Sequence, residues 1–397
     1  MENYDAEIQR LNESIVNIFR NEKDLIEHVN AIIEQLSINR AESQNALIYA
    51  RNLKYELNDP RNQFCSHYFY PDIRSSDETL NELIYNRRSI ARFGDGEFSI
   101  IFNHQRQPFQ DYDSGLAKRL FNIIQDTSDR ILIAIADNYG SLDRYNEESA
   151  NGIRMYMSDE TRSEHASVLN PDFTYYNAYV TRPYIIYADN HTDAPRRRFE
   201  RWKQLWNNRN IVIVEGSQSR LGVGNDLFCN CNSIRRILAP ATNSYSRYDD
   251  LLNATLTNVS TDDIILIALG PCAGVLAYDL ACEGFQAIDI GHLDLEYEWF
   301  LAGKGVRVPV PHKYNNEYPG DETAQPIYDT AYESQIIARF DWSTISVWHR
   351  WFKKWGKNNI SFPFSPLHII YFPYSIQFTY TFHVFFLQHN TSHIPLP

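Results

Sequence analysis

Hydrophobic positions fall into two regimes along the chain. Over the first sixty residues, apolar side chains recur at Ile8, Leu11, Ile15, Ile18, Leu25, Val29, Ile32 and Leu36. The spacing is that of heptad a and d positions, with Glu22 as the one flaw. It predicts a helix with a single apolar stripe. Two uses fit that stripe equally: a coiled-coil or helical-hairpin arm that self-associates, and an amphipathic helix folded back on its own domain. Pro60, in "NDPRNQ", makes helical continuation costly because proline lacks the backbone donor.

From about residue 85 to 355 the pattern changes to short apolar runs alternating with amphipathic stretches. "ILIAIA" (131–136), "NIVIVEG" (210–216), "SIRRILAP" (233–240), "DIILIALG" (263–270) and "FQAIDIG" (285–291) have strand length. Helical stretches lie between them at 194–208, 244–256 and 272–284, the last ending at Gly284, where a helix C′ glycine belongs. Strands alternating with helices predict an α/β fold: a mostly parallel sheet with helices on both faces, plus the N-terminal helical arm. In such sheets ligands bind beyond the carboxyl ends of the strands. The loops after the strands are therefore where chemistry is sought.

The chain has 397 residues, 43% of them hydrophobic, enough for a large core. A formal net charge of −13 argues against nucleic-acid binding, which needs a basic face. An anionic substrate would need a local cation. The five cysteines include a single C-x-C (Cys229, Cys231), too little for a zinc site, and read as reduced thiols. The polar, acidic opening residues do not resemble a secretory leader, so a cytoplasmic protein is expected, with a peripheral membrane location as the variant. That variant comes from the tail. Residues 358–397 contain no Asp, Glu, Lys or Arg and are dense in Phe and Tyr. The tail either touches a membrane or stays outside the fold, and Pro373 argues against a clean span. The expected divisions are a helical arm over 1–60, the α/β domain over 61–355 and the tail over 356–397.

Three strand ends carry unusual chemistry. "ARFGDGEFSI" (91–100) places Asp95 and Glu97 about one glycine, either as a solvated turn or as a divalent-metal site. "VEGSQSRLGVGND" (214–226) offers Gly216, Gly222 and Gly224 for close backbone approach, Ser219, Asn225 and Asp226 as polar neighbours, and Arg220 as a forked donor. It matches neither the P-loop nor the dinucleotide fingerprint. Gly270 closes the next strand, ahead of a helix N-terminus. "DIGHLDLEYEWF" (289–300) holds His292, Asp294, Glu296 and Glu298 within seven residues. A solvated first helical turn explains much of this cluster but not His292 at its tip. If the helix starts near Asp294, then Asp294 and Glu298 share a face and Glu296 points elsewhere, leaving one carboxylate for the site and one for solvent.

Taken in order, "RFGDGE" (92–97), "VEG" with "SRLGVGNDLF" (214–228), "LGP" before "VLAYDL" (269–280), "AIDIGHLDLEYEWF" (287–300) and "HKYNNE" (312–317) resemble the GT-D class of glycosyltransferases over about residues 80–335. The resemblance implies a Rossmann-like domain, an Asp-x-Glu motif, dependence on Mn²⁺ or Mg²⁺, and a UDP-sugar donor. It implies hexosyl transfer, with glucose as the expected sugar, to a hydroxyl of a cell-surface or protein-linked glycan. Asp95 and Glu97 would then serve the metal and the diphosphate, with His292 as a further ligand or a phosphate contact. Arg92, Arg220 and Lys313 would neighbour the diphosphate, along with the glycine loop and Gly270. Glu298, with Asp294 second, is the expected base for the acceptor hydroxyl. Two readings from other classes compete: a nucleotide-sugar diphosphate hydrolase, and a non-catalytic nucleotide-sugar-binding scaffold assembled through the arm.

Overall fold

The computed structural model describes residues 2–57, 70–104, 109–321 and 323–340. In chain order the elements are α1 (Glu2–Leu57), β1 (Asp72–Ile73), α2 (Ser76–Tyr85), β2 (Ile90–Phe93), α3 (Asp95–Ile101), α4 (Ser114–Ile124), β3 (Leu132–Ile135) and α5 (Glu147–Tyr156). They continue with α6 (Asp159–Val168), β4 (Thr174–Asn177), α7 (Ala194–Leu205), β5 (Asn210–Gly216), β6 (Ser233–Ala239) and α8 (Tyr248–Asn258). The last are β7 (Ile264–Ala268), α9 (Pro271–Cys282), β8 (Gln286–Asp289), α10 (Leu293–Ala302), α11 (Thr330–Gln335) and β9 (Ile336–Arg339). Among the described residues nine strands form one sheet in the order β1-β4-β3-β2-β8-β7-β5-β6-β9, and every pairing is parallel. The charge-free runs are explained by burial on both faces. Val212 and Val214 of β5 face one apolar cluster, whereas Ile211 and Ile213 face the other. Ile265 and Ile267 against Ile264 and Leu266 repeat the division on β7.

The expected strands and helices of the sheet region are present, and Gly284 takes the left-handed conformation (φ +87°) just past α9. β1, β4 and β9 were not foreseen; two of them are the sheet's edges, and β1 has only two residues. β2 lies where the strand order turns. Later strands run from it to β3 and β4 on one side, and β8 lies against it on the other. This is the switch point at which an open α/β sheet leaves a crevice. Helix α9 packs closely here. A Cβ built on Gly274 would lie only 3.6 Å from the Arg92 carbonyl.

The arm is a single continuous helix of 56 residues, roughly 84 Å long at 1.5 Å per residue. It is not a hairpin. Its last turns dock on the α/β region: Tyr55 Oη donates to the Asn138 carbonyl (2.6 Å), Arg162 lies over the Tyr55 ring, and Lys54 pairs with Asp159. The described stripe residues Leu11, Ile15, Val29 and Ile32 are 45–59% exposed. Among the described residues, no helix is long and apolar enough to cross a membrane. The tail, the boundary at 355 and 356, and Pro60 lie outside the described residues.

Candidate active site

A cavity of about 990 Å³ opens over the carboxyl ends of β2, β3, β4, β7 and β8. Its floor is set by one ion pair. Arg92, on β2, donates through Nη2 to Asp289 Oδ1 (2.8 Å) and through Nε to the Asp289 carbonyl (2.9 Å) on the neighbouring β8. Burial raises the Asp289 pKa, and Arg92 opposes the rise. Gly291 has to be glycine. Its φ is +51°, and a Cβ there would lie 2.1 Å from Arg92 Nη2.

Asp95 and Glu97 occupy the first and third positions of α3, which starts immediately after β2. Asp95 is exposed at the cavity, and Glu97 is half-buried in its wall. One Glu97 oxygen turns back to accept from the Gly94 backbone N–H (2.7 Å), as in a helix capping box. Burial, and then the Asp289 carboxylate, raise the Glu97 pKa to about 7. A cation nearby would reverse that rise.

His292 caps α10 and faces the cavity. Burial and the Arg182 guanidinium hold its pKa down to about 4, so the ring is neutral at pH 7. Arg182 Nη2 lies 3.2 Å from Nδ1 and can only donate, so Nδ1 is the acceptor. The ring proton then sits on Nε2, toward Asn316 Oδ1 (3.4 Å) and Glu317 Oε1 (3.3 Å). Both ring nitrogens are thus committed. Among the described residues no three His, Cys, Asp or Glu side chains converge to hold a metal. The expected ligand set of Asp95, Glu97 and His292 is therefore not a ready-made cage, and the Nδ1 lone pair of His292 is engaged by Arg182.

The glycine loop is held from below rather than left open to a phosphate. Buried Glu215 accepts from the Leu221 N–H (2.7 Å), while its partner Arg236 donates to the Leu221 carbonyl (2.8 Å). The Gly222 N–H donates to Asp294 Oδ1 (2.8 Å), which also accepts from Asn225 Nδ2 (2.9 Å). Lys313 is fully buried and donates to both Asp294 and Glu298 at 2.6 Å. Asp294 and Glu298 do share a helix face, but they share it with Lys313 and Asn225. Of the two expected bases, Asp294 alone reaches the cavity lining, and both its oxygens are occupied.

The other expected residues divide in the same way. Arg220 donates to the His312 and Gln325 carbonyls, away from the lining. Asp226 is tied to Lys203 and Tyr297 at the surface. Gly216, Gly222, Gly224 and Asn225 also stay outside the lining, which takes Arg92, Ser219, Gly270 and Asp294. Glu296, expected to point away toward solvent, is instead fully buried and accepts from the Tyr184 and Ile185 N–H groups (3.0 and 2.9 Å).

Among the lining groups not foreseen from the sequence, Arg182, Arg307 and Glu317 form one network. Arg182, just past β4, donates to Glu317 (Nη1 to Oε2, 3.0 Å). Arg307 reaches the same carboxylate (2.9 Å) and also Glu148 (3.2 Å) on α5. Only Glu317 lay in a stretch already singled out, "HKYNNE". Counting every described lining residue, six carboxylates face three guanidiniums, and each guanidinium is already paired. The formal balance is −3.

The parallel sheet, the crevice at its switch point and the acidic pair after β2 define an open α/β sheet with a ligand site beyond the carboxyl ends of its strands. The chain belongs to the glycosyltransferase GT-D fold family, whose model matches residues 90–318. It is 36% identical over 267 residues to the probable glycosyl transferase Gly of Streptococcus gordonii, a match covering 67% of this chain and 38% of that one. Glycosyltransferase GlyD of Streptococcus pneumoniae is likewise 36% identical over 268 residues, covering 67% of this chain and 32% of the relative. The chain thus matches well under half the length of these curated relatives. A solved structure from Streptococcus sanguinis, described as a new glycosyltransferase, superposes with a TM-score of 0.64 at 35% identity, covering 68% of this chain and all of that one.

Proposed function

We propose that this chain transfers a hexose, glucose in the first instance, from a UDP-sugar to a hydroxyl of a glycan acceptor in cell-surface polysaccharide or glycoprotein synthesis, with Mn²⁺ or Mg²⁺. The acidic lining is the observation that carries the reading. A nucleotide diphosphate brings about two to three negative charges to a cavity whose lining stays net negative even after Lys313 offsets Asp294, and whose guanidiniums are already paired. The N-terminus of α9, at Gly270, supplies only about half a positive charge. A divalent cation arriving with the substrate removes the conflict.

The residues suit such an ion. Asp95 presents a carboxylate to the cavity, and Glu97 keeps one oxygen beyond its bond to Gly94. Magnesium-like ions commonly use one or two carboxylates and complete their shell with substrate phosphates and water. When bound, the ion would stabilise the negative charge of the departing diphosphate. Asp95 and Glu97 would hold it, the Arg92–Asp289 pair keeps the floor rigid beneath, and the Arg182–Glu317–Arg307 network fixes the opposite wall. The test is a panel of nucleotide sugars with Mn²⁺, with and without glycan acceptors. Acceptor-dependent consumption of a UDP-sugar is expected. Equal release of free sugar with and without acceptor would make the chain a hydrolase. UDP binding without turnover on any acceptor would make it a scaffold.

The arm adds a partner. Its heptad stripe over residues 8–36, exposed at Leu11, Ile15, Val29 and Ile32, suits a second copy of the same chain, with the last turn left anchored through Tyr55.

A further inference from the structure

Behind the cavity wall lies a chain of three polar side chains that the reaction described above does not use. Tyr156, at the end of α5, lines the cavity and is half-buried. His165, on α6, is buried and stacks on Phe98 with ring centroids 3.8 Å apart. Tyr139, beyond β3, is buried on the far side of the imidazole. Tyr139 Oη lies 2.6 Å from His165 Nδ1, and Tyr156 Oη lies 3.2 Å from His165 Nε2. Burial, with Arg162 adding to it, pushes the His165 pKa down to about 3, so the ring is neutral. A neutral imidazole has one donor and one acceptor nitrogen, so one tyrosine must give its proton to the ring and the other must receive one.

The two directions are not equivalent. The Tyr139 hydroxyl is buried, and no other hydrogen-bond partner lies within its reach among the described residues. If it accepted from the ring, its own proton would be stranded in the core, which is costly. Tyr139 therefore donates to Nδ1, and Nε2–H donates to Tyr156. That leaves the proton of Tyr156 directed away from the ring, on the side of the cavity, where the charges of Asp95 and Glu97 act on its hydroxyl.

We infer that Tyr156 is a hydrogen-bond donor to the phosphate oxygens of the nucleotide diphosphate in this cavity, with His165 and Tyr139 as positioning residues that fix its proton direction. The inference rests on the nucleotide-sugar reading above.

The test is calorimetric titration of the full chain with UDP and Mn²⁺, with thermal unfolding of each variant alongside. Tyr156→Phe should weaken UDP about tenfold to a hundredfold, the range for a hydrogen bond to a charged group, with its unfolding midpoint near wild type. Tyr139→Phe should weaken UDP a few-fold in the wild-type background and not at all in the Tyr156→Phe background. Wild-type affinity in Tyr156→Phe, while Asp95→Asn loses UDP, would overturn the inference and leave the nucleotide-sugar reading standing. A Tyr139→Phe defect that persists undiminished in the Tyr156→Phe background would also overturn it, since it would be structural. Absence of UDP binding by the wild type would overturn both.

Discussion

Lys313→Met separates a structural clamp from a substrate contact. In the fold this ammonium is fully buried and lies 2.6 Å from both Asp294 and Glu298. Methionine keeps the length and most of the volume, so little cavity cost enters. What is lost is the counter-charge of two carboxylates. Removing one partner of a buried ion pair costs roughly 3–5 kcal/mol. Asp294 retains the Gly222 N–H and Asn225, and Glu298 retains Asn225, which favours the lower part of that range. At about 2–4 °C per kcal/mol for a large domain, the midpoint should fall by about 6–20 °C. Adding Asp294→Asn and Glu298→Gln should recover much of the loss, because the stranded charges go with them. The assay is thermal or urea unfolding, followed by UDP affinity at a temperature where the variant is folded. An unchanged midpoint with lost UDP affinity would refute the clamp and return Lys313 to the diphosphate.

Two further outcomes follow from named residues. The folded pKa of His165, about 3, lies below its unfolded value near 6.5, so the unfolded chain takes up a proton that the folded chain refuses. Stability is therefore complete above pH 6.5 and falls as pH drops toward 3, by roughly 2–3 kcal/mol from this group at pH 4.5. His165→Gln should flatten the urea midpoint between pH 7 and 4.5 without abolishing its slope, since His292 acts in the same direction; an unchanged slope would reject the assignment. Deleting residues 1–45, which spares the Tyr55 anchor, should convert a dimer to a monomer by light scattering. A full-length chain that is already monomeric would reject pairing through the arm.

The parts of this fold legible in the sequence are those with a local or periodic cause. Ile211 to Val214 and Ile264 to Ile267 read as strands because both faces are buried. Asp95 and Glu97 stood out because two carboxylates at a strand end need an explanation. The heptad stripe announced α1, which is one continuous helix. What stayed hidden depends on contacts distant in sequence. Spacing put Asp294 and Glu298 on one face of α10, but nothing local showed that Lys313 would rise between them. Arg182 follows β4, a four-residue strand whose TYYN sequence carries no apolar run, so neither strand nor arginine was foreseen. The glycine loop looked open to phosphate because its backbone donors are invisible in a sequence. The fold gives the Gly222 donor to Asp294.

The central claim is that Asp95 and Glu97 serve a divalent cation for a nucleotide-sugar donor. Its most direct test is turnover of the preferred UDP-sugar by wild type, Asp95→Asn and Glu97→Gln across a Mn²⁺ titration, with circular dichroism to confirm the fold. The account predicts wild-type activity that vanishes in EDTA and returns with Mn²⁺, and a loss on the order of a hundredfold or more in both variants at any metal concentration. Full activity of both variants in excess EDTA would contradict it.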